Sequence, residues 1–173
     1  LPELEKGEMY YGCLFARKKY DTTGVVKSDK TQLKRFTSNK EFLYQKVKQL
    51  ETALGTYTHD GNPIPQEALA LYIMPNPRSL KKANIQTMKD IADLIGKEDY
   101  TRNPQKIALT NMQKYASRKI YLEFDFDTKI IDEQIEIKNE IFLNILNTNC
   151  LRFLQTKGGF HVLVEVDKIG EQY

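Results

Sequence analysis

"YLEFDFDTK", residues 121–129, carries acid at alternate positions of a strand-like run. Side chains alternate between the two faces of a pleated strand. Tyr121, Glu123, Asp125 and Asp127 therefore share one face, and Leu122, Phe124 and Phe126 the other. The second face is built for a core. The first needs an electrostatic account. Side chains two apart on a strand sit about 6–7 Å from each other, and two carboxylates at that distance repel by about 2.5 kcal/mol at an effective dielectric of about 20. Open water removes most of that repulsion; in a cleft, a divalent metal or Lys and Arg must answer it.

The following residues continue the pattern. "IDEQIEIKNEIFLNILN" (131–147) reads as a helix, with Ile131, Ile135, the stem of Lys138, Phe142 and Ile145 along one side. "CLRFLQT" (150–156) and "FHVLVEV" (160–166) read as strands joined through Lys157, Gly158 and Gly159, a hairpin signal. On the second of these, Phe160, Val162, Val164 and Val166 face one way, and His161, Leu163, Glu165 and Asp167 the other. If the apolar faces of the two strands cover the same helix, His161 emerges beside Asp125 and Asp127. Gly158 and Gly159 would let backbone N–H groups approach an anion, with Lys157 adding charge.

Upstream, residues 9–18 read as an aromatic-rich strand and residues 37–55 as a helix. That helix would carry a Ser38/Glu41 capping box, with Leu43, Val47, Leu50 and Leu54 inward and Gly55 as its stop. Residues 58–65 are dense in turn formers and read as loop. A strand at 68–74 leads into a helix over 79–96, with Leu80, Met88, Ile91 and Ile95 inward and Gly96 ending it. Asn103 and Pro104 open another helix that runs to about Arg118. The expected fold class is α+β, with 1–118 as an N-terminal α/β portion and 119–173 as a strand-helix-hairpin unit bearing the motifs.

Composition sets bounds on function. The 173 residues are enough for a proper core, and no apolar run approaches the ~20 residues of a membrane span. "LPELEKGEMYY" has no signal-peptide character, and its Leu1 start fits a trimmed chain or part of a longer one. Cys13 and Cys150 lie in apolar runs without metal-ligand spacing, as buried thiols of a reducing, intracellular (cytoplasmic) protein would, and zinc is not expected. The net charge of +3 is unevenly spread: residues 78–119 hold ten basic side chains against four acids, and residues 120–173 five against ten. That distribution suits a polyanion held near a metal, or equally a set of soluble Lys-rich helices.

With both motifs in view, the chain resembles the archaeo-eukaryotic primase (primase-polymerase) superfamily. "YLEFDFD" (121–127) is similar to that family's Asp-x-Asp strand, and "TKGGFHVLV" (156–164) to its Gly-rich strand ending in His, with Thr156 where the family has Ser. "LYIMPNPRSL" (71–80) looks like an upstream strand found in several members. The resemblance implies an RRM-like sheet, mixed or antiparallel, packed against helices. It also implies a Mg²⁺- or Mn²⁺-dependent nucleotidyltransferase that extends or initiates a strand on a DNA or RNA primer-template. Asp125 and Asp127 would hold the metals, and His161, Lys157, Gly158 and Gly159 the nucleoside triphosphate. Arg78, Lys81 and Lys82 would touch nucleic acid, and helicases or other replication proteins are the partner class.

Two-metal phosphoryl transfer needs hard oxygen ligands on ions about 4 Å apart and donors on the departing pyrophosphate. Members carry a further acidic residue on a later strand. Here Glu165, Asp167 and Glu171 are the only acids after His161, and Glu123 is the other spare carboxylate. The alternatives are therefore a nucleic-acid- or protein-binding module of the same fold, without catalysis, or a metal-dependent nuclease.

Overall fold

β1, residues Glu8–Ala16, is buried along almost its whole length, which is why its sequence reads as a continuous apolar run rather than an alternation. A computed structural model describes residues 1–145 and 148–169, and the chain forms two compact units, Leu1–Arg118 and Lys119–Tyr173. Both are α+β with antiparallel strand pairing. The first unit continues from β1 through β2 (Thr31–Ser38), α1 (Lys40–Lys48), β3 (Thr58–His59), β4 (Asn62–Pro63), β5 (Leu69–Ile73), β6 (Arg78–Ser79), α2 (Leu80–Gly96) and α3 (Pro104–Lys114). The order β2-β1-β5 puts β1 in the middle, with β6 pairing its first residues.

Alternation along β1 feeds two cores. Tyr11 and Cys13 meet Ala83 of α2 and Met112 of α3, with Phe15, Tyr72 and Leu80 around them. On the opposite face, Ala16 packs with Val26, Ile64 and Ala68. Tyr10 and Tyr11 are both fully packed; their hydroxyls donate to Pro2 O at 2.6 Å and Gln113 Oε1 at 3.3 Å. Burial pushes the Cys13 thiol pKa up. Gly12 is the one residue of β1 that needs to lack a side chain: a Cβ there would lie 2.4 Å from the Phe36 ring of β2, which folds over it.

Several expectations are corrected. The helix expected over 37–55 spans only α1: Asn39, not Ser38, caps it by accepting from Phe42 N, and Ser38 ends β2 as a buried strand residue. Leu54 lies beyond the helix, 81% exposed. Residues 58–65 contain the small β3-β4 hairpin, turned by Asp60 (φ 51°) and Gly61 (φ 80°), as an Asp-Gly pair favours. α2 turns Ala83 inward and leaves Met88 and Ile95 in water, 72% and 57% exposed. Its inner side is partly polar: the buried Asn111 of α3 donates to Thr87 Oγ1 at 3.2 Å and Asp90 Oδ2 at 2.8 Å. α3 stops at Lys114 rather than near Arg118.

The end of α2 offers a stability test. Gly96 is its last residue, but the left-handed position is Glu98 (φ 55°). Glu98 N–H bonds to Ile95 O at 3.0 Å and Asp99 N–H to Leu94 O at 2.9 Å, the paired bonds of a Schellman end. Glu98→Gly is expected to raise stability by about 0.5–1 kcal/mol, since glycine adopts that conformation without Cβ strain. A urea midpoint equal to or below wild type would count against this reading.

Arg78, expected to reach nucleic acid, does something else. It is 8% exposed, donating from Nε to Met112 O at 2.9 Å and from Nη2 to Gln113 O. It thereby satisfies carbonyls that the end of α3 leaves unpaired, and burial pushes its pKa down. Lys81 and Lys82 are exposed in the first turn of α2, and Lys82 reaches Ala116 O at 3.3 Å.

The second unit runs β7 (Tyr121–Phe126), α4 (Ile131–Asn144), β8 (Leu151–Gln155) and β9 (Phe160–Glu165). Its sheet order, β7-β9-β8, places the last strand between the first two, the arrangement of a split β-α-β unit. Phe160, Val162 and Val164 form the core with Cys150 and Leu151, against Leu122, Phe126, Ile137, Ile141 and Ile145. Phe126 stacks on Phe160 with centroids 4.9 Å apart. α4 is rotated from expectation: Gln134, Ile137 and Ile141 face inward, while Ile131, Ile135 and Phe142 are exposed. Lys138 does lie inward, its Nζ 4.7 Å from the Phe160 centroid. Phe124 is half-exposed rather than buried. Leu146 and Asn147, the end of the expected helix, lie outside the described residues.

Candidate functional site

The register of β7 and β9 sets the site. Asp125 lies directly opposite His161, and Glu123 opposite Leu163. All four point away from the core that holds Phe160, Val162 and Val164. His161 Nδ1 is 2.7 Å from Glu123 Oε1, and Nε2 is 3.1 Å from Asp125 Oδ1. One imidazole thus sits between two carboxylates. Only the doubly protonated ring can donate at both nitrogens; a neutral ring satisfies one and presents a lone pair to the other.

The face is wet. The side chains of Glu123 and Asp125 are 42% and 59% exposed, and that of His161 19%. Water screens the repulsion between the acids, and His161 bridges them. The expected Asp125–His161 neighbourhood is therefore present. Glu123, which resemblance alone did not select, is the closer partner of the ring. Its signal was the period-two alternation, two residues before Asp125.

Other candidates are placed by the same register. Phe126 pairs with Phe160, and Phe160 with Gln155, so Asp127 and the Thr156–Gly159 loop lie past the same end of the sheet. Asp127, just beyond β7, and Lys157 are both exposed. Gly158 and Gly159 are buried. The Gly159 N–H, expected to meet a triphosphate, donates to Thr156 Oγ1 at 3.1 Å, and its carbonyl accepts from Thr156 N at 2.9 Å and Gln155 Nε2 at 2.8 Å. Its lack of a Cβ serves packing: a Cβ there would fall 1.9 Å from Phe126 O.

Among the later acids, Glu165 is committed to cations. It pairs with Arg152 at 3.4 Å and with Lys168, and Lys168 is the main reason its pKa is lowered. Asp167 follows β9 in an exposed turn, and Glu171 lies outside the described residues. No group of three or more His, Cys, Asp or Glu among the described residues is arranged to hold a metal ion. The donor chemistry nonetheless fits a hard cation, since exposed carboxylates at Asp125 and Asp127 are the ligands Mg²⁺ accepts with water completing its shell.

No described helix is long and apolar enough to cross a membrane. Comparison of the chain with protein-family models, curated proteins and solved structures finds no match.

Proposed function

We propose that the second unit carries a nucleotidyltransferase site of primase-polymerase type, extending or initiating a nucleic-acid strand from nucleoside triphosphates with Mg²⁺ or Mn²⁺. The observation that carries this reading is the placement of His161 directly across from Asp125 on one solvent-facing side of the β7-β9 pair. Asp125 and Asp127 would hold the cations, whose contribution is to neutralise charge on the transferring phosphoryl group. Glu123 orients His161 through Nδ1. Were Asp125 drawn to a cation, Nε2 would be left to face a phosphate oxygen while Glu123 keeps the ring in place. Lys157 is exposed on the adjoining loop and would add positive charge. The Gly159 N–H is not available, because Thr156 already engages it.

The same contacts favour a second reading. His161 contacts both Glu123 and Asp125 without a ligand, as it would in a binding module of this fold that performs no chemistry.

Thermal unfolding separates the two. With Mn²⁺ and a nucleoside triphosphate at a hundred times the dissociation constant, the wild type should gain about 2.7 kcal/mol, and the Asp125→Ala/Asp127→Ala variant should gain none. An unshifted wild type with nucleic-acid binding retained would favour the module. Where the shift is seen, primer extension as against strand cleavage distinguishes a polymerase from a nuclease.

A further inference from the structure

A cleft of about 460 Å³ runs between β2 and the chain from the last turns of α1 to Tyr57, wholly within the first unit. Its charged lining is entirely basic: Lys34 and Arg35 from β2 and Lys46 from α1, with no Asp or Glu. Lys34 and Lys46 are exposed and have no ion-pair partner among the described residues. Arg35 is steadied by a 3.0 Å bond from Nη1 to Thr110 Oγ1 and also interacts with the Tyr11 hydroxyl.

Two aromatic rings complete the lining, and both are held in place. Tyr57 donates its hydroxyl to Leu50 O at 2.9 Å. Phe36 occupies the space that Gly12 leaves open on β1. Consecutive strand residues point to opposite faces, so a cleft reached by Lys34, Arg35 and Phe36 together wraps the edge of β2. That edge is open, because among the described residues β2 pairs with β1 alone. A register shift beside Lys34, opposite Leu14 and Phe15, adds the local twist by which bulges re-aim side chains.

We propose that this cleft binds single-stranded nucleic acid, with Lys34 and Lys46 against phosphates, Arg35 adding to their positive field, and Phe36 and Tyr57 against bases. A cation group without acids selects a polyanion, and fixed rings select one that carries stackable aromatic rings, which polyglutamate lacks. Stacking of this kind tolerates any base. The proposal is independent of the site on β7 and β9, and either can fail alone.

The test uses the full chain and a fluorescently labelled oligothymidylate of about 20 nucleotides, long enough for a site of this type, followed by anisotropy over a range of salt concentrations. Removing two phosphate contacts should lower the slope of log K against log salt by about 1.4, at about 0.7 per cation on a single strand. Lys34→Gln/Lys46→Gln should do so and weaken binding about tenfold or more. The control Lys30→Gln/Lys89→Gln, two exposed lysines elsewhere on the unit, should leave the slope unchanged. Tyr57→Leu should weaken binding at an unchanged slope, the signature of lost stacking. Equal effects of the two lysine pairs, an unaffected Tyr57→Leu, or competition by polyglutamate as strong as by unlabelled oligonucleotide would each overturn the proposal.

Discussion

Gly159→Ala is expected to destabilise the second unit by about 3 kcal/mol, the upper part of the range for overpacking. The new Cβ would lie 1.9 Å from Phe126 O, 2.9 Å from Thr128 N and 3.0 Å from Phe126 C. All three are backbone atoms, so no side-chain rotation relieves the clash. Either the β8-β9 loop moves out, or the Phe126–Thr128 segment lifts and takes the Phe126–Phe160 stack with it. Both responses disturb the sheet end where Asp125 meets His161. Gly96→Ala is the natural control, since nothing lies within 4 Å of a Cβ there, and helix propensity predicts a gain of up to about 1 kcal/mol. Hydrogen exchange should show lost protection in β7 and β9 for Gly159→Ala while β1 stays protected. A variant with wild-type exchange and an unchanged urea midpoint would mean that the loop accommodates a methyl group freely.

Gly159 also shows why motif reading and packing are hard to separate in a sequence. A Gly-Gly before an apolar strand with His suggested N–H groups held ready for an anion. The same glycine is required because another strand's carbonyl passes too close for any side chain. Both readings predict glycine, and only the hydrogen-bond partner of its N–H distinguishes them.

What was legible depended on the number of buried faces each element has. β1, β7 and β9 were readable: one is buried on both faces and so runs apolar, and the other two alternate with period two. β2 was not foreseen, because "TQLKRFTS" is a half-exposed edge strand whose place is fixed by backbone pairing with β1. Helical faces were the least legible. α4 contains apolar residues on more than one side, so spacing alone admitted the Ile131/Ile135/Phe142 stripe, whereas the core took Gln134, Ile137 and Ile141. Gln134 is inward because its Nε2 donates to Thr128 O at 2.7 Å, a contact no hydrophobic pattern encodes. α2 behaves alike, with Thr87 and Asp90 turned toward Asn111 and Met88 turned out. Arg78 was misread for the converse reason: a lone Arg after a strand looks solvent-facing until a helix end needs its donors. The Asp125–His161 pair was legible because two alternating strands fix both side chains once their apolar faces are assigned to one core.

Stability at acid pH should expose a second buried charge. Glu8 begins β1 with its carboxylate 2% exposed. Arg118 grips it from both sides, Nε donating to Oε1 at 2.9 Å and Nη2 to Oε2 at 3.0 Å, and Glu5 N–H adds a bond at 2.8 Å. The Arg118 hydrogen bonds are the largest influence and outweigh burial, holding the Glu8 pKa at about 2 against an ordinary 4.5. A carboxylate depressed on folding contributes stability that is complete above the unfolded value and fades as pH falls toward the folded one. The window is therefore about 4.5 down to about 2. Allowing for the solvent that reaches Arg118, the contribution at neutral pH is about 2 kcal/mol. Glu8→Gln keeps the shape and removes the charge, so it should lose about that amount at pH 7, while Arg118 keeps its 3.0 Å pair with Glu5. The gap to wild type should then narrow steadily below pH 4.5, because protonated wild-type Glu8 becomes chemically close to the variant's glutamine. Comparing the two proteins cancels other acids of that range, such as Asp21. Urea midpoints that coincide at pH 7, or a gap that stays constant down to pH 2.5, would show that the pair does not act as a charge clamp. Because Glu8 opens the central strand and Arg118 is the last residue of the unit, the same clamp fastens the two ends of that unit to each other.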